Sequence, residues 1–277
     1  MKKMRYRMGW MVLLLLTTLS GYAQKYDSWK DVMARGSGTL TVLYFESPGL
    51  IRQSDGKLSG LCVETLNDFV SYLDTKYDKK IVIEYKKATD IGTFLNDIQR
   101  LPNILGVSAI TITPERMKVM KFTTPYLASP VLLITQGEAG RLNALTDLKG
   151  MRPFSLKGGV YNDVINELGK KYNIGGDVSY VAEPIALLSK VGATLKSFTV
   201  LGMTDYLAAL KAGVKVRSQS LWVAKDESYG YAMAKSSDWD IPWKEFLTPT
   251  YMNGTPYKKW ITDYLGAAYL KFLNENY

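Results

Sequence analysis

The sequence predicts an α/β protein in which strands and helices alternate through two successive series. Short apolar runs of strand length recur between stretches whose apolar residues fall on one helical face, and the first strand, helix and second strand are spaced as a parallel crossover unit. Size is the third observation. At 277 residues the chain is long enough for one large or two medium domains, since single cores stop growing near about 250–300 residues, and two lobes fit comfortably. With 47% hydrophobic and 22% charged residues its composition is that of an ordinary soluble protein, which argues against wholesale disorder and a polytopic membrane protein.

The elements follow in order. Lys2, Lys3, Arg5 and Arg7 precede an apolar run at 8–16, and the small residues Gly21 and Ala23 then occupy the −3 and −1 positions of a cleavage site. This is the layout of a secretory signal over residues 1–23, with a mature chain starting at Gln24 and no stable membrane insertion after cleavage. Residues 24–37 read as a polar lead. Residues 39–45 form a buried first strand, Ser47-Pro48-Gly49 breaks it, and Asp55-Gly56-Lys57 makes a turn. Val63, Leu66, Phe69, Val70 and Leu73 define one face of a helix over 61–73. A strand over 80–85, a helix around Phe94, Leu95 and Ile98, and a strand over 104–110 complete the first series. The second series contains strands at 153–156, 178–181 and 198–201, helices at 163–172, 185–191 and 205–211, and a further extended stretch at 219–225. Residues 243–277 read as helix in two pieces broken at Asn253-Gly254-Thr255-Pro256.

Composition excludes several chemistries. With no histidine there is no Ser/His/Asp triad, no histidine zinc site and no imidazole base. The single cysteine, Cys62, forms no intramolecular disulfide and is best read as a small buried hydrophobe. Four of the nine net positive charges belong to the leader, and the remaining lysines are scattered, so nucleic-acid binding gains no support. No metal or cofactor is called for. These features favour binding over catalysis.

The strongest local signal is Ala109-Ile110-Thr111-Ile112-Thr113-Pro114-Glu115-Arg116. A strand gives way there to a helix marked by Thr113 as N-cap, Pro114 at the first helical position and Glu115 in the first turn. Thr111 offers a hydroxyl, and Arg116 a planar fork that matches a carboxylate. From the residues alone a well-capped surface helix with a solvated arginine is equally compatible.

Four separated blocks resemble, in order, motifs of the periplasmic solute-binding proteins of the polar amino-acid type, family 3, which serve ABC importers. Residues 55–64 resemble DGKLTGFDVD; residues 109–126 resemble GMTITPER and the FSxPY that follows it. Residues 145–150 resemble LxDLKG, and residues 253–260 resemble NGTYxKIYxKW. The resemblance implies the type II periplasmic-binding fold: two α/β lobes, each a mainly parallel sheet flanked by helices, joined by two hinge strands. Residues 129–136 and 229–235 match the hinges, with lobe one at 38–130 and 236–277 and lobe two within 131–235.

Carried over residue by residue, the resemblance implies that Arg116 clamps a ligand carboxylate, Thr111 bonds carboxylate and ammonium, and the Ala109 carbonyl accepts from the ammonium. Lys157, Gly158, Gly159, Val160 and Tyr161 align with the loop whose amides complete the carboxylate site, although Val160 replaces the usual threonine. Met203 falls where an acid pairs with the ligand ammonium. Asp205 is the possible substitute, with a solvated helix-start aspartate as its alternative. Leu50 or Ile51 and Ile91 stand near the places of the ligand-sandwiching aromatics, with Tyr44, Phe45 and Tyr161 as possible replacements. The implied function is that of a monomeric periplasmic protein holding a small carboxylate-bearing solute for an importer permease. Two alternatives stay open. One is a cyclohexadienyl-dehydratase-like enzyme, with Glu46 and Glu183 as conceivable acid/base groups. The other is a sensory or partner-binding module like those preceding membrane-bound murein transglycosylases and receptor kinases, acting here on a separate partner because neither a transglycosylase nor a membrane segment follows.

Overall fold

In a computed structural model, whose described residues are 26–174 and 176–276, ten strands form two five-stranded sheets and four more form two two-stranded ribbons. The signal-peptide reading of residues 1–23 lies outside the described residues. The first sheet runs in the order Lys80–Lys87, Ser37–Tyr44, Ile104–Val107, Ala232–Ala234, Met120–Phe122. Its first three strands are parallel, and Ala232–Ala234 is antiparallel to both its neighbours. The second sheet repeats the scheme, in the order Ser179–Val181, Arg152–Leu156, Ser197–Gly202, Val131–Gln136, Val216–Gln219. Here Val131–Gln136 is the antiparallel insert. Two α/β lobes result, each a mainly parallel sheet flanked by helices.

Parallel sheets need cover on both faces, and the first strand shows this in its burial: residues 40–44 are all buried. Leu40, Val42 and Tyr44 join a large core with Leu61, Leu66, Phe69, Trp239 and Trp243, while Leu43 faces a second cluster with Phe94, Ile98 and Met120. Phe69 and Trp243 stack at 3.7 Å between ring centroids. Cys62 is fully buried in the first of these cores, and burial pushes its thiol up to about 12. Lobe two has its own core around Leu133, Phe154, Leu187, Val191, Phe198 and Val200.

The chain crosses twice between the sheets. Leu127–Ser129 and Glu227–Tyr229 pair antiparallel at the crossing, with Glu227 opposite Ser129. The expected hinge strands at 129–136 and 229–235 are thereby shifted: Val131–Gln136 and Ala232–Ala234 are sheet strands on either side of the crossing, because each exit strand is captured by the sheet it enters. The Tyr269 hydroxyl donates to the Ala128 carbonyl at 2.8 Å and that of Tyr257 to the Tyr126 carbonyl, so C-terminal helices brace this junction.

Three local expectations need correction. The polar lead contains the helix Trp29–Arg35, capped by Ser28 and Asp31 in a reciprocal box and closed by Gly36 at φ 83°. Asp238 accepts from the amides of Trp29 and Lys30 at 2.7 and 2.9 Å, tying this helix to the return segment. Extended structure near 219–225 ends at Gln219. The tail is four helices, Asp240–Phe246, Pro249–Met252, Thr255–Leu265 and Ala267–Asn276. Thr255-Pro256 begins a helix there, since proline is tolerated in the first turn.

Candidate functional site

The site forms where residues following Ile104–Val107 meet the crossing. Ile112 donates its amide to the Ser228 carbonyl at 2.9 Å, Gly230 donates to the Ile110 carbonyl at 3.1 Å, and Thr111 bridges to Tyr229. Thr113 caps the short helix Pro114–Val119 by accepting from the Arg116 amide. That cap fixes where the arginine emerges, and Arg116 Nη1 returns to donate to the Thr111 carbonyl at 3.0 Å. Arg116 is half-buried. Burial lowers its pKa, opposed by the nearby charge of Glu227.

Glu227 organises the rest. The Thr111 hydroxyl donates to its Oε1 at 3.1 Å, and the Tyr161 hydroxyl donates to its Oε2. Thr111 belongs to lobe one, and Tyr161 stands at the start of the lobe-two helix Asn162–Tyr172. Burial raises the Glu227 pKa against the opposing effect of these hydrogen bonds and of Arg116. Asp205, in the first turn of the helix Met203–Lys211, is 9% exposed. Burial, aided by the charge of Glu227, pushes its carboxyl up to about 7. Asp205 is therefore a buried acid beside the cluster and not a solvated helix-start residue.

Gly202 makes this crowding possible. A Cβ there would meet the Tyr229 hydroxyl at 2.6 Å, Ser129 Oγ at 3.1 Å and the Tyr161 hydroxyl at 3.3 Å. Met203, next in sequence, packs with Leu207 against the lobe-one core. Where an acid was anticipated, this chain has an apolar contact between the lobes.

The other sequence-derived residues are placed as follows. The Lys157 and Gly159 amides donate to the carbonyls of Val181 and Leu156, and Lys157 is exposed. Val160 packs against the lobe-two core, and Ala109 against that of lobe one. Leu50 and Ile51 are fully buried core residues, and Ile91 is exposed. Tyr44 is buried with its hydroxyl on Gln53. Phe45 lies against the Phe94 cluster. Glu46 pairs with Lys87 at 2.8 Å, which holds its carboxyl below the usual range, and Glu183 is exposed at a helix start. Arg116, Thr111, Tyr161 and Asp205 are thus brought together, and Glu227 is the member that sequence reasoning missed. No group of three or more His, Cys, Asp or Glu side chains among the described residues could hold a metal ion.

Fold and site together define a two-lobed α/β binding architecture with a polar cluster at the lobe junction. Residues 42–262 match the family model of bacterial extracellular solute-binding proteins, family 3. The chain belongs to that family.

A structure from work on glutathione import via GshT and the cystine ABC importer TcyBC of Streptococcus mutans superposes with a TM-score of 0.70. It is 17% identical, covering 83% of this chain and 96% of that one. The GluR0 ligand-binding core of Nostoc punctiforme in complex with L-glutamate gives 0.65 at 19% identity, covering 82% and 99%. Among curated proteins, membrane-bound lytic murein transglycosylase F of Aeromonas hydrophila is 27% identical over 229 residues, 82% of this chain and 44% of that protein. The chain spans less than half the length of the curated relatives it matches. No helix among the described residues is long and apolar enough to cross a membrane.

Proposed function

We propose that this protein captures a small polar, carboxylate-bearing solute of the amino-acid type between its lobes, as the exported receptor of an ABC-type importer. The observation that carries the reading is the convergence of Arg116 and Thr111 from lobe one with Tyr161 and Asp205 from lobe two at the crossing. A guanidinium with one N–H committed to the Thr111 carbonyl retains donors for a carboxylate. Glu227, joined by Asp205 where that carboxyl has lost its proton, supplies the negative charge that Met203 does not, so a solute ammonium has a partner. In this reading the Ala109 carbonyl accepts from the solute ammonium, the loop with Lys157, Gly159 and Val160 borders the carboxylate although the Lys157 and Gly159 amides are committed to the Val181 and Leu156 carbonyls, residues 1–23 are a cleaved signal, and the mature protein is a periplasmic monomer that binds without turnover.

The test is a thermal-shift and calorimetric panel of L-glutamate, L-glutamine, L-arginine, L-cystine and glutathione, because a specific solute stabilises the folded state by mass action. Binding by the wild type that falls at least about tenfold in Arg116→Ala is expected, since a charged clamp contact contributes about 1.5–3 kcal/mol. Undiminished affinity in that variant would refute the clamp.

The transglycosylase F relatives favour a second reading, in which the same lobes act as a regulatory module for a cell-wall enzyme. Solute-dependent association with a transglycosylase, without an importer permease, separates this reading from the first.

A further inference from the structure

Glu227 accepts hydroxyl donors from both lobes while belonging to neither. It rides on the return crossing strand Glu227–Tyr229, and its two oxygens take the Thr111 hydroxyl from lobe one and the Tyr161 hydroxyl from lobe two. Arg116 holds the Thr111 carbonyl at 3.0 Å, and the charges of Arg116 and Glu227 act on each other. A carboxylate bonded by the Thr111 hydroxyl and drawn by the charge of the Arg116 guanidinium takes up part of what the clamp would offer a solute. In this chain the carboxylate is covalently attached.

The neighbourhood fits that role. The absence of a side chain at Gly202 leaves room for the Tyr229 and Tyr161 hydroxyls, and Met203 and Leu207 pack onto the lobe-one core where charge would otherwise intrude. The lobes are thus joined by this chain's own polar and apolar contacts. A tethered group acts at an effective concentration in the millimolar range or above, so a free carboxylate must out-compete it.

We propose that Glu227 is a resident occupant of the carboxylate clamp, latching Thr111 to Tyr161 across the lobe junction and competing with any incoming carboxylate. This rests on the clamp reading of Arg116 and Thr111 given above. It also selects the solute class. A simple monocarboxylate would displace Glu227 and leave it and Asp205 without a positive partner, whereas a solute that also carries an ammonium supplies one. Discrimination then comes from penalising the wrong solute as much as from binding the right one.

Two variants of the mature protein test this, Glu227→Gln and Glu227→Ala, with sodium acetate and L-glutamate as calorimetric probes and small-angle scattering without any solute. Removing the like charge in Glu227→Gln is expected to raise affinity for acetate by about tenfold or more. Glu227→Ala is expected to show a larger radius of gyration than the wild type as the lobes part. Equal radii for wild type and Glu227→Ala, or weaker acetate binding by Glu227→Gln, would overturn the proposal. If neither probe binds any form, the solute reading fails for these probes, and the scattering still decides the latch. Should Glu227→Ala not fold, Tyr161→Phe, which removes the lobe-two hydroxyl, takes its place in the scattering comparison.

Discussion

A carboxyl group buried beside another carboxylate holds its proton more tightly than in water, and Asp205 is in that position, with a pKa raised from 3.8 to about 7. Because the folded value lies above the unfolded one, this contribution to stability is whole below about pH 4 and is lost as pH rises through 7. Urea unfolding should show stability from this group falling by up to about 4 kcal/mol between pH 4 and pH 7, with Asp205→Asn flattening that slope. An unchanged slope in the variant would place the titration elsewhere. Arg116 and Thr111 were readable as site candidates because they stand in a block that resembles a family motif, and Asp205 because it lies two residues beyond Met203, where that family has an acid. Glu227 was not. It lies between Asp226 and Ser228 in a stretch with no motif, and only the pairing of Glu227–Tyr229 with Leu127–Ser129 carries it to the clamp.

Among the elements, the helix Trp29–Arg35 shows how a short local signal can be overlooked in a polar stretch. Ser28, Asp31 and Gly36 form a cap at each end that was available in the residues themselves. Its apolar side is only Trp29 and Val32, too little to register as periodicity. Ser28→Ala should cost about 1 kcal/mol and speed amide exchange across this helix, measurable by hydrogen–deuterium exchange. Long one-sided helices were legible: residues 61–73 belong to Leu61–Tyr77, and residues 163–172 to Asn162–Tyr172. The tail was less so, because Leu247, Gly254 and Gly266 interrupt it at junctions that propensity alone does not separate from helix interior.

At the scale of the whole molecule, the lobes meet through Met203 and Leu207 as well as through Glu227. Met203→Asp would place a charge against the lobe-one core, and burying an unpaired charge is strongly unfavourable. Scattering should then show more open lobes in the variant, and an unchanged profile would mean that Met203 contributes nothing to closure. The two-lobe plan was legible through the ordered motif blocks, whereas the sheet orders were not, since nothing local states that each exit strand enters its sheet antiparallel.

That strand order has a consequence for how the polypeptide is assembled. The second sheet draws all its strands from one uninterrupted stretch, Val131–Gln136 through Val216–Gln219, whereas the first needs Ala232–Ala234 between Ile104–Val107 and Met120–Phe122. A chain emerging from its N-terminus therefore holds an incomplete first sheet, lacking its bridging strand and the Trp239 and Trp243 side chains of its core, while the later stretch acquires every partner it needs. The portion made first is finished last, and a loop of about a hundred residues must close before it is, a long-range contact of the kind that slows folding.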